Sequence, residues 1–329
     1  MNNPRRDSTV SVLIDNFNYG RYLGAAIESA LAQSHPVREL VVCDDGSTDD
    51  SCQVTERYAA RDSRVRLLRQ PNQGQGAALN AAFAASTGEI VCLLDSDDVW
   101  EPHKVARVVE VFSSFPKAGW VRHRMRCADE SLRPLPMGVP AFRGSRCQEG
   151  DRYAHLEKTV SFTTSAVSLR RELAERAFPI PRALSRLGPD LYFDYMCGVL
   201  EAAGYSLDQD LGLYRRHPAQ LSACGGTYRA IVETEIDMTR RFLAVEPCQG
   251  YVPTHVYKHE LIAAYMRSGC VLDRGRLRLC ASGLSSVSLL ARKGRVRLAL
   301  LQLAKLAYGF LLPRAWIRRQ MRLNAWGAV

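Results

Sequence analysis

The stretch Val10–Ser51, VSVLIDNFNYGRYLGAAIESALAQSHPVRELVVCDDGSTDDS, decides the fold. It opens on a short apolar run, Val10–Ile14, of strand length. Helical spacing follows over Tyr22–Gln33, where Leu23, Ile27, Ala30 and Leu31 share a face. Glu39–Cys43 is a second strand-like run. Strand, helix, strand is the unit that builds a parallel sheet, because parallel neighbours need a crossover between them.

The rhythm continues. Ser51–Arg61 reads as a helix, Val65–Leu68 as a strand, Ala77–Ser86 as an Ala-rich helix, Ile90–Leu94 as a strand and His103–Ser114 as a helix. The expectation is an α/β fold, a mostly parallel central sheet with helices on both faces. Ligands of such sheets bind beyond the carboxyl ends of the strands. Four strand ends here carry polar, Gly-containing or acidic loops: DNFNYG after Ile14, DDGSTDD after Cys43, RQPNQGQG after Leu68 and DSDD after Leu94. These would converge on one edge.

Each loop has its own chemistry. Gly46 to Asp50 reads as a turn and a helix cap. That leaves Asp44 and Asp45, two carboxylates at a strand end, where they would accept hydrogen bonds from a base or a ribose. In QPNQGQGAALN, Gly74 and Gly76 allow close backbone approach. No Gly-Lys-Ser/Thr follows, so it is not a P-loop, and its spacing is not that of a dinucleotide fingerprint. In LLDSDD, Asp95 and Asp97 fall on one side if the chain stays extended. Two hard oxygen donors suit Mg²⁺ or Mn²⁺, with substrate phosphates completing the shell. Asp98 is expected to turn the chain or cap the next helix, and without a ligand the three carboxylates are expected to be solvated.

Taken in order, VSVLIDNFNYG through CDDGSTDDS, then NQGQGAALN, then LLDSDDVW, resemble the nucleotide-binding half of the family 2 glycosyltransferases. The likeness extends more thinly through TTSAVSLRREL, FPIP, GPD and LYRRHPAQLSA, to about residue 223. It implies a GT-A fold over residues 8–225, with a nucleotide-binding half at 8–115 and an acceptor half at 116–225. It also implies inverting transfer of a hexose from a nucleotide-diphosphate sugar, a UDP-sugar first among donors, to an acceptor hydroxyl of a glycan or lipid-linked acceptor. By position, Asp45 would contact the base and Asp44 the nucleoside, with Asp15, Asn16 and Gly74 bordering them. Asp95 and Asp97 would form the metal–diphosphate site, with His217 as a further ligand or phosphate contact. An inverting displacement needs a base. Asp190 matches the family's acidic position, and Asp194 is the alternative one turn on. Two departures stand out: Asp15 occupies a usual proline position, and Gln75 lies in a loop that often carries a basic residue.

The rest of the chain reads less sharply. Trp120–His123 is strand-like, 133–150 is rich in Pro and Gly and reads as a loop, and a helix from about Leu191 to Ala203 is stopped by Gly204-Tyr205. From Tyr228 onward the pattern is helical. The net charge of +10 on 329 residues is uneven. Residues 274–329 hold 12 basic and no acidic residues, leaving 32 basic against 34 acidic elsewhere. The body is therefore not a nucleic-acid binder on charge grounds, and the tail has no recognised nucleic-acid module.

The best apolar segment, Leu298–Leu312, is shorter than the roughly 20 residues that a span needs and contains Gln302 and Lys305. Leu298, Leu301, Ala304, Lys305 and Tyr308 lie near one helical face. The basic region 226–329 is expected to be helical and to lie peripherally on an anionic membrane. A polar start and ten cysteines without a C-x-x-C pair point to a cytoplasmic location. Other classes compatible with these motifs are a non-catalytic nucleotide-sugar-binding scaffold and, more weakly, a nucleotidyltransferase.

Overall fold

Strand β1 (Val10–Asn16) is buried along its whole length and lies between two parallel neighbours, β2 (Glu39–Asp44) and β4 (Ile90–Asp95). A strand covered on both faces reads as a nearly unbroken apolar run, which is why these three were visible in sequence. The computed structural model describes residues 8–139, 144–150, 163–185 and 188–218, with Gln220 and parts of 236–306. β3 (Val65–Arg69) adds in parallel outside β2. Helices α1 (Gly20–Leu31), α2 (Ser51–Ala59), α3 (Gln75–Ala85) and α4 (Lys104–Ser114) make the crossovers.

Beyond β4 the sheet becomes mixed. β9 (Val167–Arg170) runs antiparallel to both β4 and β6 (Trp120–Ala128). β10 (Gly204–Arg215) is parallel to β6 and carries the short β5 (Val99–Trp100). The order is β3-β2-β1-β4-β9-β6-β10-β5, with β7 (Pro134–Val139) on β6 and β8 (Arg146–Gln148) on β10. Further helices are α5 (Arg171–Ala177), α6 (Pro189–Val199) and α7 (Arg274–Arg292).

Register divides the two faces. Asp15 is opposite Cys43 and Asp95, and directly paired residues of parallel strands share a face. Val12, Ile14, Leu40, Val42, Cys92 and Leu94 therefore point one way, and they form a core with Leu23, Ile27, Val108 and Phe112. The other set, Leu13, Asp15, Val41, Cys43, Leu93 and Asp95, faces the side where α3 packs on β1 and β2.

Two expectations need correction. The 133–150 stretch is not a plain loop, since β7 and β8 lie within it. The helix expected to reach Ala203 ends at Val199, and Gly204 opens a 12-residue strand instead of merely stopping a helix. β10 was illegible because its pairing with β6 slips twice, after Leu207 and after Asp210, which destroys the period-two pattern. Of the face expected in the tail, only Leu301 and Ala304 are described. Ala299, Gln302 and Leu306 are the buried positions of the helical residues there, while Leu300, Leu301 and Leu303 point outward. Leu301 and Ala304 are thus on the exposed side, and Leu298, Lys305 and Tyr308 lie outside the described residues.

Two units separate by contacts: residues 1–152 with 160–217, and residues 153–159 with 218–329. Among the described residues no helix is long and apolar enough to cross a membrane.

Candidate active site

The loops after β1 and β2 are stitched together before any ligand is considered. Asn18 takes a left-handed conformation, and its amide donates to Ser47 Oγ at 2.8 Å while its Oδ1 accepts from Thr48 N at 2.8 Å. Asp49 accepts from Gly20 N at 2.9 Å and from Ser51 N at 3.0 Å, so one carboxylate serves the amino ends of α1 and α2. Asp44 accepts from Ser47 N at 2.8 Å and from Asn16 Nδ2 at 2.9 Å. Asp15 and Asn16 are the last two residues of β1, not loop residues, and they point to opposite faces.

Asp45 has a different partner set. Its carboxylate accepts from Gln70 Nε2 at 2.6 Å, Gln73 N at 2.9 Å and Gly74 N at 2.8 Å, closing the 70–74 loop over the α3 face. A carboxylate has about four acceptor positions, so Asp45 retains capacity for one more donor. Gly74 sits at φ 97°, ψ 161°, a region essentially reserved for glycine. Gly74→Ala is therefore expected to cost about 1–3 kcal/mol, readable as a lowered midpoint in urea unfolding. Gly76 follows at a close approach: a Cβ there would lie 2.9 Å from Ser185 Cα.

That approach builds the far wall. Gly76 N donates to Ser185 O at 2.8 Å, and Ser185 Oγ donates to Gln73 O at 2.9 Å. Asn80 clasps Ile180 in both directions, at 2.7 and 2.9 Å. The 180–185 segment is thereby fixed on the start of α3 and leads directly into α6. Pro189 is the first residue of α6 and Gly188 precedes it, so Asp190 lies in the first turn and is not the cap. Asp190 Oδ1 accepts from Leu191 N at 2.8 Å. Burial raises its pKa to about 6, with a smaller contribution from Asp194 and an opposing one from the Leu191 N–H. Asp194 is committed elsewhere: its Oδ1 accepts from Arg122 Nη1 at 2.9 Å, with both side chains buried.

After β4 the chain does not stay extended. Asp98 N donates to Asp95 O at 3.2 Å, so residues 95–98 turn. The turn still gathers the acidic groups: one carboxylate oxygen each of Asp95, Asp97 and Asp98 lie within 4.8 Å of one another. They are not solvated as expected. Asp97 and Asp98 are buried and Asp95 is partly buried. Nor does Asp98 cap a helix. Its Oδ2 accepts from Ser165 Oγ at 2.6 Å and its Oδ1 from Arg215 N at 2.9 Å. Ser165 Oγ also accepts from Asp95 N at 3.0 Å. Arg215 Nε donates to Asp97 O at 2.6 Å, tying the end of β10 to the turn.

The electrostatic result is strong mutual repulsion. Burial, then the charges of Asp15, Asp98, Asp97 and Asp190, hold the Asp95 carboxyl well above the usual range. Asp15 is raised to about 7 by burial and by Asp97 and Asp45, against the nearby Gln75 amide. Such groups either take up protons or share a cation. His217 Nε2 lies 3.0 Å from Asp97 Oδ2, and its ring is packed by Tyr19 and Tyr22 at centroid distances of 5.2 and 4.6 Å. The donor set of carboxylate oxygens fits a hard divalent cation, with the imidazole held on Asp97.

The structure gathers some of the predicted residues and separates others. Asp15, Asp45, Asp95 and Gly74 lie on the α3 side, Asp97 and His217 at its end, and Asp190 on the adjoining wall. Asn16 and Asp44 lie on the opposite face, and Asp194 is turned into an ion pair. Residues that no local pattern revealed are Gln70 and Gln73, which fix Asp45, and Ser165, which together with Arg215 of the YRRH segment fixes the acidic turn.

The family model described as Glycosyl transferase family 2 matches residues 11–178. An uncharacterised glycosyltransferase of Nostoc sp. is 37% identical over 242 residues, 71% of this chain and 74% of the relative. Chondroitin synthase of Escherichia coli is 38% identical over 108 residues, 33% of this chain and only 16% of that protein. The structure of S. aureus TarS 1-349 in complex with UDP-GlcNAc aligns at a TM-score of 0.55 with 16% identity, over 92% of this chain and 89% of that one. That last likeness is one of fold and agrees with a GT-A architecture. With half of the chain under the family model and a relative of 37% identity over most of both lengths, the chain belongs to glycosyl transferase family 2.

Proposed function

We propose that this glycosyltransferase moves a hexose, with inversion, from a UDP-sugar to an acceptor hydroxyl in the assembly of a cell-surface glycan or polysaccharide. The observation that carries the reading is the wall built by Gly76, Asn80 and Ser185, which brings Asp190 to the same edge as the acidic turn. The chondroitin synthase relative favours a polysaccharide product, and the TarS neighbour, solved with UDP-GlcNAc, favours a uridine donor.

Asp45 is assigned to the base and Asp44 to the nucleoside, with Asp15, Asn16 and Gly74 bordering them. Asp95 and Asp97, with His217, would hold Mn²⁺ or Mg²⁺. When bound, the cation neutralises charge on the departing diphosphate. Asp190 takes the proton from the acceptor hydroxyl as that oxygen bonds the sugar's anomeric carbon. The bond from that carbon to the diphosphate oxygen breaks on the opposite face, which inverts the centre. We assign residues 8–225 to the catalytic domain, with halves at 8–115 and 116–225. Residues 226–329 are assigned to peripheral contact with an anionic membrane on its cytoplasmic side, a role that the outward Leu300, Leu301 and Leu303 favour.

UDP with Mn²⁺ is expected to raise the melting temperature of the wild type, and Asp97→Ala to remove the shift. A donor screen that follows released nucleoside diphosphate identifies the sugar. Unchanged melting with every nucleotide, in both proteins, would sink this function. Donor binding without turnover would favour a non-catalytic scaffold.

A further inference from the structure

A place bordering the nucleoside does not account for the buried charge of Asp15. Its neighbours' carboxylates are engaged: Asp44 and Asp45 hold loops, and Asp98 holds Ser165 and Arg215. Asp15 is 9% exposed, and its Oδ1 is the one buried carboxylate oxygen without a hydrogen-bond partner among the described residues. The nearby Gln75 amide offsets only part of the cost of burying this carboxylate, and Oδ1 itself has no donor. A residue serving only the fold would not be placed there.

Strand register gives Asp15 an acidic neighbour. Asp15 is in register with Asp95 across parallel strands, so the two side chains stand next to each other on the α3 face. Gln75, the first residue of α3, donates from Nε2 to Asp95 Oδ1 at 2.8 Å. We propose that Asp15 is a further carboxylate of the cation site, facing the same ion as Asp95 and Asp97.

Resting on the cation site of the proposed function, this deepens it with a specific consequence. Three carboxylates supply more charge and more oxygen donors than two, so the site binds a divalent cation before any nucleotide arrives. The cation also removes the repulsion among the three groups.

The test is Mn²⁺ titration of the full chain without nucleotide, following free Mn²⁺ by its electron paramagnetic resonance. Wild type, Asp15→Asn and Asp97→Asn are compared, with melting temperature recorded in parallel. Asn keeps the shape and removes the charge. Asp15→Asn is expected to weaken Mn²⁺ binding about tenfold or more, since ligand charge sets affinity at such sites. It should also melt higher than wild type in chelator, because the uncompensated charge is gone. Unchanged Mn²⁺ affinity in Asp15→Asn, with binding lost in Asp97→Asn, overturns the role of Asp15 and leaves the cation site standing. No Mn²⁺ binding by wild type without nucleotide overturns it too. If wild type and Asp97→Asn bind Mn²⁺ alike even with UDP present, the cation site itself is wrong.

Discussion

Asp190→Asn is expected to lower kcat by about 10³-fold, within the range a positioned general base contributes, and to leave donor binding unchanged. Geometry is the first reason. Asp190 lies in the opening turn of α6, on a segment anchored to α3 by Asn80 and Ser185, and one of its oxygens takes only the Leu191 N–H. Its near neighbour Asp194 is neutralised by Arg122 and has no such freedom. The pH dependence follows from the sign. A base works ionised, so kcat/KM should rise with pH and level off above the carboxyl's pKa. Burial pushes that pKa to about 6, and a bound cation nearby would lower it, so the inflection should fall no higher than about 6. The variant should lose this limb. A carboxyl whose folded pKa is raised destabilises the fold once ionised, an effect relieved as pH drops through 6. Asp190→Asn should therefore melt no lower than wild type near pH 7, which separates lost chemistry from lost structure. Turnover retained in the variant would remove Asp190 from the mechanism.

How much of this could be read from the chain alone follows from where each interaction begins. β1, β2 and β4 are buried on both faces, and α1 and α4 each bury one stripe, so their composition alone gives them away. The acidic strand ends were legible for the same local reason. Their surroundings were not. Asp98 is held by Ser165 and by Arg215, partners 67 and 117 residues away in sequence, and nothing near Asp98 signals either. An acidic cluster therefore reads as solvated, although the fold buries it. The same holds for β10, whose bulges erase alternation, and for Asp190, whose place depends on Gly76 admitting Ser185.

The two departures from the family pattern, Asp15 and Gln75, lie far apart in the chain and look unrelated there. In space they meet at Asp95. Gln75 donates to it and Asp15 stands beside it in register. A basic residue in place of Gln75 would neutralise Asp95 directly, whereas the neutral amide only orients it. The added carboxylate of Asp15 then leaves more negative charge for a cation to balance. Both substitutions therefore act in the same electrostatic direction: position 75 offers no positive charge to a phosphate, and position 15 offers a further carboxylate to a cation.

Asp194→Asn is expected to destabilise the protein by about 3–5 kcal/mol, the cost of leaving a buried charge unpaired. Arg122 lies in the sheet with its Nη1 on Asp194 at 2.9 Å, its Nε on Ser206 Oγ at 2.9 Å and its Nη2 on Gln148 at 3.2 Å. Its guanidinium also stacks over Trp120, 4.6 Å from the ring centroid. One cation thus joins β6, β8, β10 and α6. Burial already lowers its pKa to about 10 against the pull of Asp194, and an amide in place of the carboxylate cannot supply that pull. Arg122→Met should cost a similar amount, for the opposite orphan. The double variant Arg122→Met/Asp194→Leu should recover most of the loss, because removing both charges removes the desolvation cost as well. Urea unfolding of the four proteins checks this. The comparison also separates the two candidate bases. Asp194 variants should lose activity only in proportion to the unfolded fraction and regain it on cooling, whereas Asp190→Asn should stay folded and inactive. An Asp194→Asn protein as stable as wild type but without turnover would move the base from Asp190 to Asp194.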